Sequence, residues 1–150
     1  MCDGSKPVTL RTTEWKNSIK YISGPISHGD MQENMDRAIM VGEFYYRHGF
    51  PCYIPHLDKV WSERYPKPYA DWIHLSKSIL MLLKQQDELV RLPGYSPGSD
   101  GEIEAIAKET FGPSVKIMTV SDCEEIEEAL GESFPYLPEG QAGLKGLTSP

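Results

Sequence analysis

Cysteine is scarce and unpaired: Cys2, Cys52 and Cys123 form no CxxC spacing. That odd, scattered set excludes the familiar zinc patterns and points to a reducing compartment, so a cytoplasmic location is expected. His28, His48, His56 and His74 also lack metal-ligand spacing, and no metal is expected. Long apolar runs are missing as well. No stretch approaches a membrane span and the N-terminus lacks a signal-peptide core, so a membrane partner is not expected. Basic runs are missing too: 15 Lys and Arg face 22 Asp and Glu, a formal charge of −7. That balance disfavours nucleic acid as a backbone-gripping partner. It leaves room for small anionic metabolites, because a local site can be positive within an acidic protein. Neither GxGxxG nor a P-loop lysine occurs, which disfavours the ordinary dinucleotide and ATP cradles.

What is present suits one domain of ordinary size, since 150 residues can bury an apolar core without staples. Residues 1–17 are polar and aperiodic and are expected to form a flexible arm. A β-prone run at 19–23 ends at Gly24-Pro25. Asp30 and Glu33 have capping-box spacing, and Met35, Ala38, Ile39, Gly42 and Tyr46 then recur on a helical stripe ended by Gly49. Residues 51–55 form a short strand between prolines, followed by a Pro- and aromatic-rich loop to about residue 68. Trp72, Leu75, Ile79 and Leu83 mark a second amphipathic helix. A strand at 88–92, a helix carrying Ile103, Ile106, Ala107 and Phe111, a strand at 115–120 and an acidic helix at 121–130 complete the pattern. The domain is expected to span residues 18–131, with a loose tail over 132–150 that is free or lent to a neighbour.

Strand and helix alternate throughout. The pattern predicts a doubly wound α/β fold, Rossmann-like or flavodoxin-like, with a parallel sheet and helices on both faces. Ligands in such folds sit beyond the carboxyl ends of the strands. Two loops expected there are unusual: residues 24–29 and residues 94–100. The second reads Gly94-Tyr95-Ser96-Pro97-Gly98-Ser99-Asp100-Gly101-Glu102. A capping box explains Ser99 and Glu102 by itself, with Ser99 capping the helix and Glu102 bonding back to the first amide. It does not explain Pro97-Gly98 or the second hydroxyl at Ser96. Glycine-rich backbone and serine hydroxyls at a helix start also make an anion site. A glutamate in the first turn would stay ionised beside the helix dipole, as a nucleophile at a sugar carbon must. The aromatic stretch His56, Trp61, Tyr65, Tyr69 and Trp72 is mostly packing, but a planar base would find stacking surface there.

Placed together, these segments resemble the nucleoside 2-deoxyribosyltransferase-like superfamily, which includes N-glycosidases of 2′-deoxynucleoside 5′-monophosphates and of CMP. The resemblance covers roughly residues 19–120. Its motifs here are Tyr21-Ile22-Ser23-Gly24-Pro25-Ile26, Pro55-His56-Leu57, and Ser96-Pro97-Gly98-Ser99-Asp100-Gly101-Glu102. The resemblance implies that Glu102 is the nucleophile, that Tyr21 orients it, and that Ser96 contacts a 5′-phosphate. It further implies a substrate-binding set of Gly24, Pro25, Ile26, Ser27, His28, His56, Ser96, Gly98, Ser99 and Asp100. A homodimer or higher homo-oligomer is implied, and no cofactor. Two positions depart from the family pattern. An Asp usual about two turns before the third strand is replaced by Ser76-Lys77-Ser78-Ile79, with Asp71 further upstream. The Arg often present in the first loop gives way to Ser27 and His28.

The activity expected from these residues is hydrolysis of the N-glycosidic bond of a nucleoside 5′-monophosphate through a glycosyl ester on Glu102. Base exchange by deoxyribosyl transfer uses the same first step. A nucleotide-binding module without catalysis is the alternative outside enzymes.

Overall fold

A computed structural model describes Arg11 and residues 13–133. Four strands form one parallel sheet in the order β2-β1-β3-β4: β1 (Lys20–Ser23), β2 (Cys52–Tyr53), β3 (Glu88–Arg91) and β4 (Ser114–Ile117). Between them run α1 (Met31–Arg47), α2 (Asp58–Arg64), α3 (Tyr69–Leu80) and α4 (Pro97–Ala107), and α5 (Val120–Ser133) follows β4. This is the doubly wound α/β arrangement that the alternation predicts. The chain moves outward from β1 in both directions, so the loops after β1 and β3 diverge at the point where strand order reverses.

Strand alternation divides the core in two. Ile22 and Val90 face α1 and α5, where they meet Val41, Tyr45, Ile126 and Leu130. Tyr21 and Leu89 face the other way, toward Leu80 and Ile106 of α3 and α4. Both faces of the central strands β1 and β3 are buried because helices cover both, whereas the edge strand β4 is exposed.

The helix starts follow local chemistry. The Asp30 carboxylate caps α1 by accepting from the Glu33 amide at 3.0 Å, as its spacing predicts. The buried seam of α1 is Ala38, Val41, Gly42 and Tyr45, one position round from the expected stripe, and Ile39 is exposed. Ile54 lies against Gly42, where a Cβ would come within 2.5 Å of its Cδ1. The loop expected up to residue 68 holds a 3-10 turn (Pro55–Leu57) and α2. Of the expected second stripe, Leu83 is buried just past the end of α3 and Trp72 is partly buried, while Leu75 and Ile79 are each 36% exposed and Leu80 is the buried residue of the helix itself.

Part of the expected N-terminal arm, residues 1–10 and 12, lies outside the described residues, as does the expected tail from residue 134. Nearer the sheet, the Lys16 amide donates to the Gly49 carbonyl at 2.7 Å and Trp15 packs edge-on against Tyr46, so this stretch is tied to the end of α1. Among the described residues no helix is long and apolar enough to cross a membrane.

Candidate active site

The loops after β1 and β3 and the start of α4 enclose a cavity of about 380 Å³, closed on its far side by α2 and α3. Glu102 lies on its wall. The expected capping box around this residue is replaced by another cap. Ser96, not Ser99, caps α4, its Oγ accepting from the Ser99 amide at 3.1 Å. Pro97 then occupies the first helical position, where a missing N–H costs nothing. Glu102 therefore sits in the second turn and has no capping role.

Its carboxylate is held from the sheet instead. Tyr21 Oη donates to Oε2 at 2.6 Å, and Ser23 Oγ donates to Oε1 at 2.7 Å. These two donors are neighbours on one face of β1 because side chains two apart on a strand point the same way. Both are buried, and Tyr21 is fully so. Each carboxylate oxygen thus receives one charge-assisted hydrogen bond from a fixed hydroxyl. Ser23 is a site residue that motif reading missed, although its spacing from Tyr21 was available as a signal.

The electrostatics run against the expected helix-dipole effect. Burial lifts the Glu102 carboxyl above the ordinary range, and the hydrogen bonds from Ser23 and Tyr21 and the charges of Lys77 and Arg91 recover only part of that shift. Glu102 is too far along α4 for the terminal amides to reverse it. Burial, with the adjacent Glu102 charge, pushes the Tyr21 phenol far up, so Tyr21 remains a proton donor in the hydrogen bond throughout the physiological range.

The expected binding residues are mostly brought together. Gly24, Ile26, Ser27 and His28 line the cavity from the first loop, and Ser96, Gly98 and Ser99 line it from the start of α4. Gly24 is required by close approach: a Cβ there would lie 2.8 Å from Leu92 Cβ. Two expected residues are not on the wall. Pro25 supplies its carbonyl to His56 Nε2 at 2.9 Å and its ring packs under Gly94. The Asp100 carboxylate pairs with Arg91 Nη2 at 3.0 Å and is largely exposed. His56 reaches the cavity, but it is 1% exposed and its Nδ1 is sealed without a partner, so its clear role is to fix the first loop. Burial lowers its pKa, which keeps the imidazole neutral.

The far wall adds residues outside the expected set. Tyr69, Trp72 and Ile73 give it an apolar, aromatic surface, and Asp58, Lys59, Ser76 and Lys77 give it polar groups. Trp61 stacks edge-on against Trp72 at 5.2 Å, with Lys67 over both rings. Helix α2, not visible as a helix in the sequence pattern, carries Asp58 and Lys59. Among the described residues no three His, Cys, Asp or Glu side chains cluster as metal ligands.

The arrangement is a half-buried carboxylate, positioned through both oxygens, beside a pocket with one polar end and one aromatic wall. No protein-family model matches this chain, and neither a curated protein nor a solved structure matches it significantly.

Proposed function

We propose that the protein is an N-glycosidase of nucleoside 5′-monophosphates. The observation that carries this reading is the pair of hydroxyls, Tyr21 and Ser23, that holds both oxygens of Glu102 at a cavity wall. A carboxylate held that way can attack C1′ of a sugar without first reorganising. Positive charge develops on the sugar as the C1′–N bond loosens, and the adjacent carboxylate stabilises it. Water then opens the glycosyl ester and releases the sugar phosphate. The aromatic wall at Tyr69 and Trp72 suits a planar base, and the Gly98-Ser99 start of α4 suits a phosphate.

Base exchange on a nucleoside is the second reading, and one observation favours it. The Ser96 hydroxyl caps α4 and donates to Ser99 Oγ at 3.0 Å, which leaves it less free for a phosphate. Incubation with each nucleoside 5′-monophosphate and its nucleoside, followed by chromatography for free base, tests both. Release from nucleotides supports the hydrolase. Exchange into an added second base, with equal use of nucleosides, supports the transferase. No release from any of them leaves a binding module.

We also propose a homo-oligomer. Leu75, Ile79, Phe111 and Ile117 leave apolar surface open on the α3 and β4 side, and a second copy would cover it. A reducing, cytoplasmic setting fits the free thiols of Cys52 and Cys123.

A further inference from the structure

Cleaving a nucleotide at C1′ places a second demand on the site, because a departing base is a poor leaving group until it gains a proton. The groups that hold Glu102 cannot meet it. The Tyr21 and Ser23 hydroxyl protons lie in the bonds to the carboxylate. His56 is neutral, and among the described residues it bonds the Pro25 carbonyl through Nε2 while its Nδ1 is sealed from the cavity. Lys59 is paired with Glu63 at 3.2 Å.

Asp58 is differently placed. It and Glu102 are the only carboxylates among the described residues that line the cavity, and they approach it from different walls, α2 and α4. The Asp58 carboxylate is half-buried, and among the described residues no hydrogen-bond or ion-pair partner holds it. Two carboxylates lining one cavity, one held and one free, match in kind the pair that a retaining glycosidase uses. From the N-glycosidase reading, on which this rests, we infer that Asp58 is the acid–base residue of the site.

The step balances as follows. A Glu102 oxygen forms a bond to C1′ while the C1′–N bond breaks, its electron pair going to the base. The Asp58 proton passes to the base, which leaves neutral. In the second step the Asp58 carboxylate takes a proton from water, the water oxygen bonds to C1′, and the ester bond breaks with its pair returning to Glu102. Asp58 ends protonated and Glu102 ionised, as at the start. Burial without a compensating cation raises the Asp58 pKa, which favours the protonated form this cycle begins from. Burial alone accounts for that rise; the other titratable groups lining the same cavity are His28, His56, Lys59, Lys77 and Glu102, and Tyr53 on β2 feels the Asp58 charge.

The test compares wild type, Asp58→Asn and Asp58→Ser on two substrates: a nucleoside monophosphate, and the 4-nitrophenyl glycoside of the same sugar 5-phosphate. Nitrophenolate leaves without a proton. Asp58→Asn should lose about 10²–10⁴-fold in base release, the usual contribution of a general acid. It should keep the pre-steady-state burst of nitrophenolate, and its base release should lack the alkaline fall expected of wild type. A loss in the rate of the nitrophenolate burst equal to the loss in base release, or no loss in either, in folded variants overturns the assignment and leaves the N-glycosidase reading standing. If wild type cleaves neither substrate, the N-glycosidase reading fails and takes this one with it. Asp58→Ser, smaller and uncharged, repeats the comparison should the Asn variant not fold.

Discussion

The two faces of the sheet are built for different work. On the α1 and α5 side the core is broad and closed, drawing Ile22, Val90, Leu92 and Met118 from the strands and their ends against Val41, Ile126 and Leu130. On the α3 and α4 side the buried cluster is smaller: Tyr21, Leu80, Leu83, Leu89 and Ile106. That side also holds the polar triad of buried Tyr21 and Ser23 with half-buried Glu102, and it leaves Val115, Ile117 and Phe111 open. One strand serves both. Ile22 packs on the first face while Tyr21 and Ser23, one residue to either side, aim at the carboxylate. A parallel sheet covered on both faces allows this, because stability gathered on one face can offset the burial of charge on the other.

The sharpest way to break the comparison is Glu102→Gln, which should abolish base release and leave the fold intact. Gln can still accept from Tyr21 and donate to Ser23 Oγ. The folded-state pKa of Glu102 is raised, so its protonated form contributes stability that is fully present below the ordinary carboxylate value and is lost as pH rises through the raised one. Gln carries no such loss. Melting temperatures should therefore show the variant at least as stable as wild type at neutral pH, with the difference growing from acid to neutral. A variant that melts well below wild type at neutral pH, or still turns over, would return Glu102 to a structural role.

The opposite face should show the reverse pattern. Leu130→Ala, at a position 1% exposed, should cost about 2–5 kcal/mol in chemical denaturation. Activity per folded molecule should stay at the wild-type level. A matching loss of activity in the folded fraction would mean that the two faces are coupled, and the division of work would fail.

Between these extremes lie the two hydroxyls. Tyr21→Phe and Ser23→Ala each remove one hydrogen bond to a charged group, worth roughly 1.5–3 kcal/mol. Turnover should fall about ten- to a hundredfold, since about 1.4 kcal/mol is a factor of ten. Each bond also lowers the Glu102 pKa, so the acid limb of the pH–rate profile should move to higher pH in both variants. A lowered melting point with an unchanged profile would make either residue a packing element only.

The fold was legible because its signals are local and repeat: alternation of apolar runs, Gly24 and Gly49 at element ends, and Asp30 three residues before Glu33. The position of Glu102 at the strand ends followed from that order. The identity of its partners was half legible, since Tyr21 was chosen by motif while Ser23 needed the strand's two-residue period. Three features were not legible. The cap at Ser96 displaced the expected one at Ser99 because proline at position 97 is favourable only in a first turn, which fixes the helix start one turn earlier. Helix α2 was hidden by the prolines and aromatics that flank it. The pKa of Glu102 depends on burial, and sequence gave its place in the chain but not its depth.

The smallest effects concern the proposed phosphate end, and they discriminate between the two serines. Ser96 Oγ accepts from the Ser99 amide and donates to Ser99 Oγ, so its hydrogen is occupied within the protein. Ser99 Oγ accepts that hydrogen and keeps its own to donate, and both residues line the cavity. Ser96→Ala should therefore behave as a lost cap, lowering stability by about 1 kcal/mol. Ser99→Ala should lower kcat/KM for a nucleotide about tenfold while sparing the matching nucleoside, because one contact to the phosphate charge is lost. Ratios of kcat/KM for the nucleotide and nucleoside pair, measured for both variants, separate the roles. If Ser96→Ala erodes the ratio at an unchanged melting temperature, its hydroxyl turns to the phosphate when substrate is bound. Should neither variant move the ratio, and wild type use nucleoside and nucleotide equally, the start of α4 is a helix cap without a phosphate, and base exchange becomes the better account of the site.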